Sequence, residues 1–318
     1  MKRDFLTLSD LTADEHRALM YRTKALKEAR KQHRVLRILD GRTLVCIFEK
    51  ASTRTRLSFE AAMAQLGGHS IVLPVTDSQL GRGEPLEDTA RVASRYCDVI
   101  MLRTFADERL RSFARAATVP VINGLTDSAH PVQLLADLFT IEERLGAVKG
   151  KKVAFVGDGA TNMGLSWTRA ASIYDFELRF ASPEGYQPPP ELLKKSDGRV
   201  SIKKSPKDAV AGCEVVVTDV WTSMGQEAET AKRKAAFKGY CVDSALMKQA
   251  KSGAIVLHCL PAHRGEEITA EVLDGPQSAA WDEAENRLHV QKALLEMLVL
   301  GHEKAVAEAE SGGSAKAS

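Results

Sequence analysis

The sequence predicts an α/β protein of two domains, each a parallel sheet flanked by helices. Three observations lead there. The chain has 318 residues, more than one domain usually holds. Strand-length apolar runs alternate with helix-length amphipathic segments, the βαβ rhythm whose crossovers make neighbouring strands parallel. The charged turn Lys149-Gly-Lys-Lys152 separates two such series.

Thr12 and Glu15 have the spacing of a capping box and open an amphipathic helix reaching about Lys31. Strands are expected near 43–48, 69–73, 98–102 and 119–122, with helices over 53–66, 86–96 and 106–117. Gly67-Gly68 stops the first of these helices. A further helix runs from Pro131 to Leu145 and ends at Gly146. The second series supplies strands over 152–156, 177–181, 200–203, 214–218 and 254–258. Ser205-Pro206 reads as an N-cap followed by proline at the first helical position, and 186–190 as a loop. Two long helices, 279–286 and 290–309, are expected to close the fold. The small, polar tail 311–318 should be disordered.

Composition narrows the function. Apolar residues make up 44% and charged residues 27%, enough for ordinary cores. A net charge of +2 gives no general footprint for nucleic acid or membrane. Cys46, Cys97, Cys213, Cys241 and Cys259 lack zinc-type spacing and sit in apolar stretches, as reduced core thiols of a cytosolic protein do. The N-terminal residues lack a signal peptide's apolar stretch, and no run is long enough to span a bilayer.

The chemistry concentrates where apolar strands turn into helices. Ser52-Thr53-Arg54-Thr55-Arg56 lies at such a junction, where outward N–H groups, hydroxyls and guanidinium groups suit a phosphate. A plain N-cap with two solvated arginines fits the same residues. Arg103 ends another strand and converges with Arg54 if the two strands are neighbours. His130-Pro-Val-Gln133 starts a helix, a place that disfavours imidazolium and leaves a neutral donor to polarise a carbonyl. Gln133 lies about one turn on.

In the second series Gly157-Asp-Gly-Ala-Thr-Asn162-Met-Gly164 resembles a loose dinucleotide loop. Its spacing is not G-x-G-x-x-G, and the next strand ends in Ser182 rather than an acid. Asn162 is its expected polar contact with a small molecule. Asp219-Val-Trp-Thr-Ser223-Met224-Gly225 offers an acid for an ammonium group and a hydroxyl and backbone for a carboxylate, as an α-amino acid requires. An acidic turn ending in glycine accounts for it equally. His258-Cys259-Leu260-Pro261 gives Cys259 no evident base partner, which favours contact over covalent catalysis.

Ser52-Thr-Arg-Thr-Arg56, His130-Pro-Val-Gln133, Asp219-Val-Trp-Thr-Ser-Met-Gly225 and His258-Cys-Leu-Pro261 stand in the order found in the aspartate/ornithine carbamoyltransferase family. The chain resembles that family from about residue 5 to 305, and its last two motifs resemble the ornithine branch. Gly81-Arg-Gly-Glu84 replaces the lysine-bearing loop of an aspartate enzyme. The resemblance implies transfer of a carbamoyl group from carbamoyl phosphate to the δ-amino group of L-ornithine, without metal or cofactor. It also implies an active site in an interdomain cleft, at a subunit border of a homotrimer in the cytoplasm, with a role in arginine biosynthesis. The implied domains are 1–131 with 288–318 for carbamoyl phosphate, a linking helix 132–148, and 149–287 for ornithine.

By the same resemblance Ser52, Thr53, Arg54 and Thr55 hold the phosphate. Arg103, His130 and Gln133 hold the carbamoyl group, with Gln79 reaching in from a neighbouring subunit. Asn162, Asp219, Ser223 and Met224 bind ornithine; Cys259 and Leu260 line the reacting centre, and Arg287 completes the carbamoyl phosphate site. Arg54, Thr55, Arg103, His130 and Cys259 form the expected catalytic set. Two other readings stay open: a carbamoyltransferase for acetylornithine or putrescine, and, through 157–164 alone, a nicotinamide-dependent oxidoreductase.

Overall fold

A computed structural model describes residues 2–75, 79–222 and 227–301. The chain forms two compact units. One comprises the residues up to Ala136 together with those from Asn286 onward; the other spans Asp137–Glu285.

The first unit begins with α1 (Ala13–Lys31), closed by the expected capping box: Thr12 accepts from the Glu15 amide at 3.2 Å and its own amide donates to Glu15 at 2.8 Å. There follow β1 (Thr43–Phe48), α2 (Thr53–Gln65), β2 (His69–Pro74), α3 (Leu86–Ala93), β3 (Val99–Arg103), α4 (Asp107–Ala116) and β4 (Val121–Leu125). All four strands are parallel, in the order β2-β1-β3-β4. Central strands buried on both faces explain the unbroken apolar runs in β1 and β3. Val45, Ile47, Ile100 and Leu102 pack with Leu86 and Ala90 of α3 and Leu110 and Phe113 of α4.

Strand β4 runs later than the 119–122 the sequence suggests, through Asn123-Gly124, a pair that reads as a turn. Asn123 stays in the sheet because its side chain donates to the Leu6 carbonyl at 2.9 Å and its amide to Phe5 at 2.8 Å. Gly124 makes room for Met101: a Cβ there would stand 2.3 Å from Met101 Sδ and force that side chain to shift. The β3–β4 register shifts between Leu102 and Arg103, a bulge of the kind that re-aims a side chain.

The α5 helix (Pro131–Leu145) leads into β5 (Lys152–Val156), α6 (Asn162–Tyr174), β6 (Glu177–Ala181), α7 (Pro190–Lys194), β7 (Val200–Ile202), α8 (Pro206–Val210), β8 (Val215–Thr218), α9 (Thr230–Ala236), α10 (Ser244–Met247), β9 (Ile255–His258) and α11 (Ala270–Leu273). The second sheet is again parallel, ordered β7-β6-β5-β8-β9. Ala154, Val156, Val216 and Val256 pack with Ala209 and Val210 of α8 and Val272 and Leu273 of α11. Ser205 caps α8 with proline at its first position, as its sequence suggests.

The closing pair of helices expected at 279–286 and 290–309 is instead one continuous helix, α12 (Ala280–Leu300). Asn286-Arg-Leu-His289 contains neither glycine nor proline, so nothing interrupts it. The end of the expected second helix and the tail 311–318 lie outside the described residues. No helix of the described residues is long and apolar enough to cross a membrane.

Candidate active site

Phe48 at the end of β1 pairs with Arg103 at the end of β3, so the two strand ends that carry the first site are neighbours. Ser52 is the N-cap of α2, its hydroxyl accepting from the Thr55 amide at 3.3 Å. Thr53 is exposed and Arg54 half-buried; the Arg54 guanidinium has no hydrogen bond or ion pair among the described residues. Arg56 turns away to pair with Glu60 at 3.2 Å, an ordinary exposed helical contact.

Thr55 is fully buried and gathers two cations. Its hydroxyl accepts from Arg103 at 3.3 Å and from Arg287 at 2.9 Å. Arg287, on α12, also donates to the Gln133 side-chain carbonyl at 2.9 Å. His130, just before α5, is buried beside them; burial, then Arg287 and Arg103, push its imidazole well below the ordinary histidine range. The sequence reading of a neutral imidazole is met, but burial and two guanidinium groups dominate its cause rather than the helix end alone. Convergent buried guanidinium groups at a helix N-terminus make a strong anion site.

The junction before α2 is braced by Glu49, which the sequence reading passed over. Glu49 accepts from Arg109 Nε at 2.8 Å and from the Thr104 hydroxyl, while its amide donates to the Arg103 carbonyl at 2.9 Å. Burial alone raises its carboxyl; Arg109 and Thr104 more than reverse this and keep it ionised. Gln79 opens a short 3-10 helix, Gln79–Arg82, and is exposed.

The second unit presents its polar residues at the carboxyl ends of β5, β8 and β9. Asn162 is the first residue of α6, whose N-cap Thr161 accepts from the Gly164 amide. Asp219 is buried and accepts from the Cys259 thiol at 3.2 Å and the Val220 amide at 2.8 Å. Burial raises the Asp219 carboxyl, the state expected of an acid whose cationic partner arrives with a ligand. Burial and the carboxylates of Asp219, Glu283 and Asp137 push the Cys259 thiol well above its usual range, which opposes a thiolate nucleophile. Ser223 and Met224 lie outside the described residues.

Leu260 has a left-handed backbone, φ 57°, held by its amide donating to His258 Nδ1 at 2.9 Å. His258 Nε2 therefore donates to Glu267 at 3.0 Å, and Glu267 also accepts from the His263 amide at 2.6 Å. Glu267 is a residue the sequence reading missed; its only signal is an acid in the run after Pro261. Asp219, His258 and Cys259 bring ligand-type atoms within 4.8 Å of one another. Both His258 nitrogens already serve Leu260 and Glu267, so coordination of a cation would break one of those bonds.

Comparison with known proteins matches two successive family domains. Residues 3–143 match the aspartate/ornithine carbamoyltransferase carbamoyl-P binding domain, and residues 149–298 its Asp/Orn binding domain. An ornithine carbamoyltransferase of Herminiimonas arsenicoxydans is 55% identical over 299 residues, covering 94% of this chain and 98% of its own. The ornithine carbamoyltransferase structure of Pyrococcus furiosus superposes with a TM-score of 0.90 at 46% identity, covering 94% and 98% of the two chains. That of Burkholderia thailandensis gives 0.87 at 49% identity, covering 94% and 99%. With both halves accounted for, the chain belongs to the aspartate/ornithine carbamoyltransferase family.

Proposed function

We propose that this protein is an ornithine carbamoyltransferase, transferring the carbamoyl group of carbamoyl phosphate to the δ-amino group of L-ornithine to give L-citrulline and phosphate. The observation that carries this reading is the meeting of Arg103 and Arg287 on Thr55 at the start of α2, with His130 and Gln133 beside them. Ser52, Thr53, Arg54, Thr55 and the helix N–H groups bind the phosphate. Arg103, His130, Gln133 and Arg287 bind the carbamoyl end. Gln79 completes the site of a neighbouring subunit in a homotrimer. Asn162, Asp219, Ser223 and Met224 receive ornithine, and Cys259 with Leu260 lines the reacting centre.

The δ-nitrogen attacks the carbamoyl carbon, the carbon–oxygen bond to phosphate breaks, and the amine proton leaves with the phosphate. Negative charge growing on the carbonyl oxygen meets Thr55, Arg103 and His130; that on the bridging oxygen meets Arg54. Holding both reactants together supplies much of the rate, without a covalent enzyme intermediate. The amine has to be neutral. With a pKa of about 10.4, deprotonation near pH 7.5 costs roughly 4 kcal/mol, so activity rises toward alkaline pH. The relatives' shared name and the buried acid Asp219 support ornithine over putrescine, which has no α-amino acid end. We place the enzyme in the cytoplasm and in arginine biosynthesis.

The test is a colorimetric assay of the ureido product formed from carbamoyl phosphate: citrulline with ornithine, acetylcitrulline with acetylornithine or carbamoylputrescine with putrescine as acceptor. Ornithine is expected to be used at least 100-fold better in kcat/KM, a gap of about 3 kcal/mol. Equal or better use of another acceptor overturns the assignment.

A further inference from the structure

Arg233 has no part in any motif, yet it is 6% exposed and ties together three loops at the carboxyl edge of the second sheet. Its Nη1 donates to Asp158 Oδ2 at 2.6 Å, in the loop after β5, and to the Trp221 carbonyl at 2.9 Å, in the loop after β8. Its guanidinium carbon lies 5.1 Å from the ring centre of Tyr186, in the loop after β6. Glu229, one turn earlier, accepts from Nε at 3.1 Å.

Two of these loops carry a residue of the acceptor site. Asp158 also accepts from the Ala160 amide at 2.9 Å, and its carbonyl accepts from the Thr161 hydroxyl at 3.0 Å, shaping the turn that delivers Asn162. The same turn is crowded: a Cβ on Gly164 would stand 2.4 Å from the Gly159 carbonyl oxygen. Trp221 follows Asp219 by two residues, and its ring stacks on Phe237 at 5.7 Å. One guanidinium nitrogen, Nη1, thus bridges the loop that leads to Asn162 and the loop that follows Asp219.

We propose that Arg233 is a positioning residue for the acceptor amino acid, setting through Asp158 and the Trp221 carbonyl the spacing of Asn162 and Asp219, two of the side chains that receive it. The proposal rests on reading this edge as the ornithine site. A lysine nitrogen ends one bond short of Nη1 and lacks both the Nε donor to Glu229 and the flat group beside Tyr186, so it cannot keep the same tie. Removing the buried arginine alone would also leave the buried Asp158 carboxyl without this partner, which confuses stability with positioning.

The test uses two variants of the full chain, Arg233→Lys and the charge-neutral double variant Asp158→Asn/Arg233→Gln, assayed for citrulline formation. Both are expected to raise the ornithine KM about tenfold or more, to keep kcat within about threefold, and to leave the carbamoyl phosphate KM unchanged. A folded variant with the wild-type ornithine KM overturns the proposal, as does a fall in kcat with neither substrate's KM changed. Failure of both variants to fold also overturns it, assigning the pair to stability alone. Failure of the wild-type chain to form citrulline is a separate result and removes the underlying reading instead.

Discussion

The Arg287 guanidinium donates a 2.9 Å hydrogen bond to the Thr55 hydroxyl, joining positions 232 residues apart. Its other arm reaches Gln133. A lysine cannot span both acceptors. Arg287→Lys is expected to raise the KM for carbamoyl phosphate about 10- to 100-fold, the loss of one charge-assisted hydrogen bond. Isothermal titration with carbamoyl phosphate checks it; an unchanged affinity would take Arg287 out of the site.

Arg54 is half-buried and uncommitted within the described residues, so the fold does not depend on its charge. Arg54→Ala is expected to lower kcat by about 100-fold or more while thermal unfolding stays within a few degrees of wild type. Nearly normal turnover would exclude it from transition-state stabilisation.

His130 carries a pH signature. Its folded-state pKa lies well below 6.5 because of burial and then the two arginines. As pH falls below the unfolded value, the unfolded chain takes up a proton that the folded chain refuses. The stabilisation present above pH 6.5 is thus lost on acidification, at up to about 1.4 kcal/mol per pH unit. Urea unfolding between pH 6.5 and 5 should show a shallower slope for His130→Asn than for wild type.

Lys292 on α12 is buried, its ammonium donating to Gln65 at 3.1 Å; burial, then Arg30, lowers its pKa to about 8. Below pH 8 both states are charged and the folded state bears the full cost; between 8 and 10.5 only the unfolded state stays protonated, so wild-type stability rises with pH. Lys292→Met is expected to stabilise by roughly 1–2 kcal/mol at pH 7, with the gap closing by pH 10. Paired melting curves at the two pH values decide it.

Cys259 donates to Asp219 from a site that disfavours thiolate. Cys259→Ser is expected to keep activity within about 100-fold of wild type, as a contact residue would, and iodoacetamide should modify Cys259 slowly at pH 8. Abolished turnover in a folded Cys259→Ser protein would point to a covalent step.

The sequence carried the local part of this architecture well. Ser52 caps α2, Thr12 and Glu15 close α1, and Arg103 ends a strand beside β1, because caps and apolar runs are written in adjacent residues. What was not legible depends on partners far away. Asn123-Gly124 spells a turn, but Met101, Phe5 and Leu6 hold it in β4. Arg233, Glu49 and Glu267 belong to no motif, and their meaning lies in loops brought together by the sheets. Arg287 was readable only through the likeness of Glu285-Asn-Arg287 to a known family; its tie to Thr55 is tertiary.

The α12 helix has a consequence for biosynthesis. A growing polypeptide carries Thr55, Arg103 and Gln133 long before the ribosome adds Arg287, which lies in the closing segment that rejoins the first unit. Until that segment emerges, Thr55 lacks one of the two guanidinium groups that meet on it. A product terminated before Asn286 would therefore lack half of that cationic clamp, whatever the state of its first sheet.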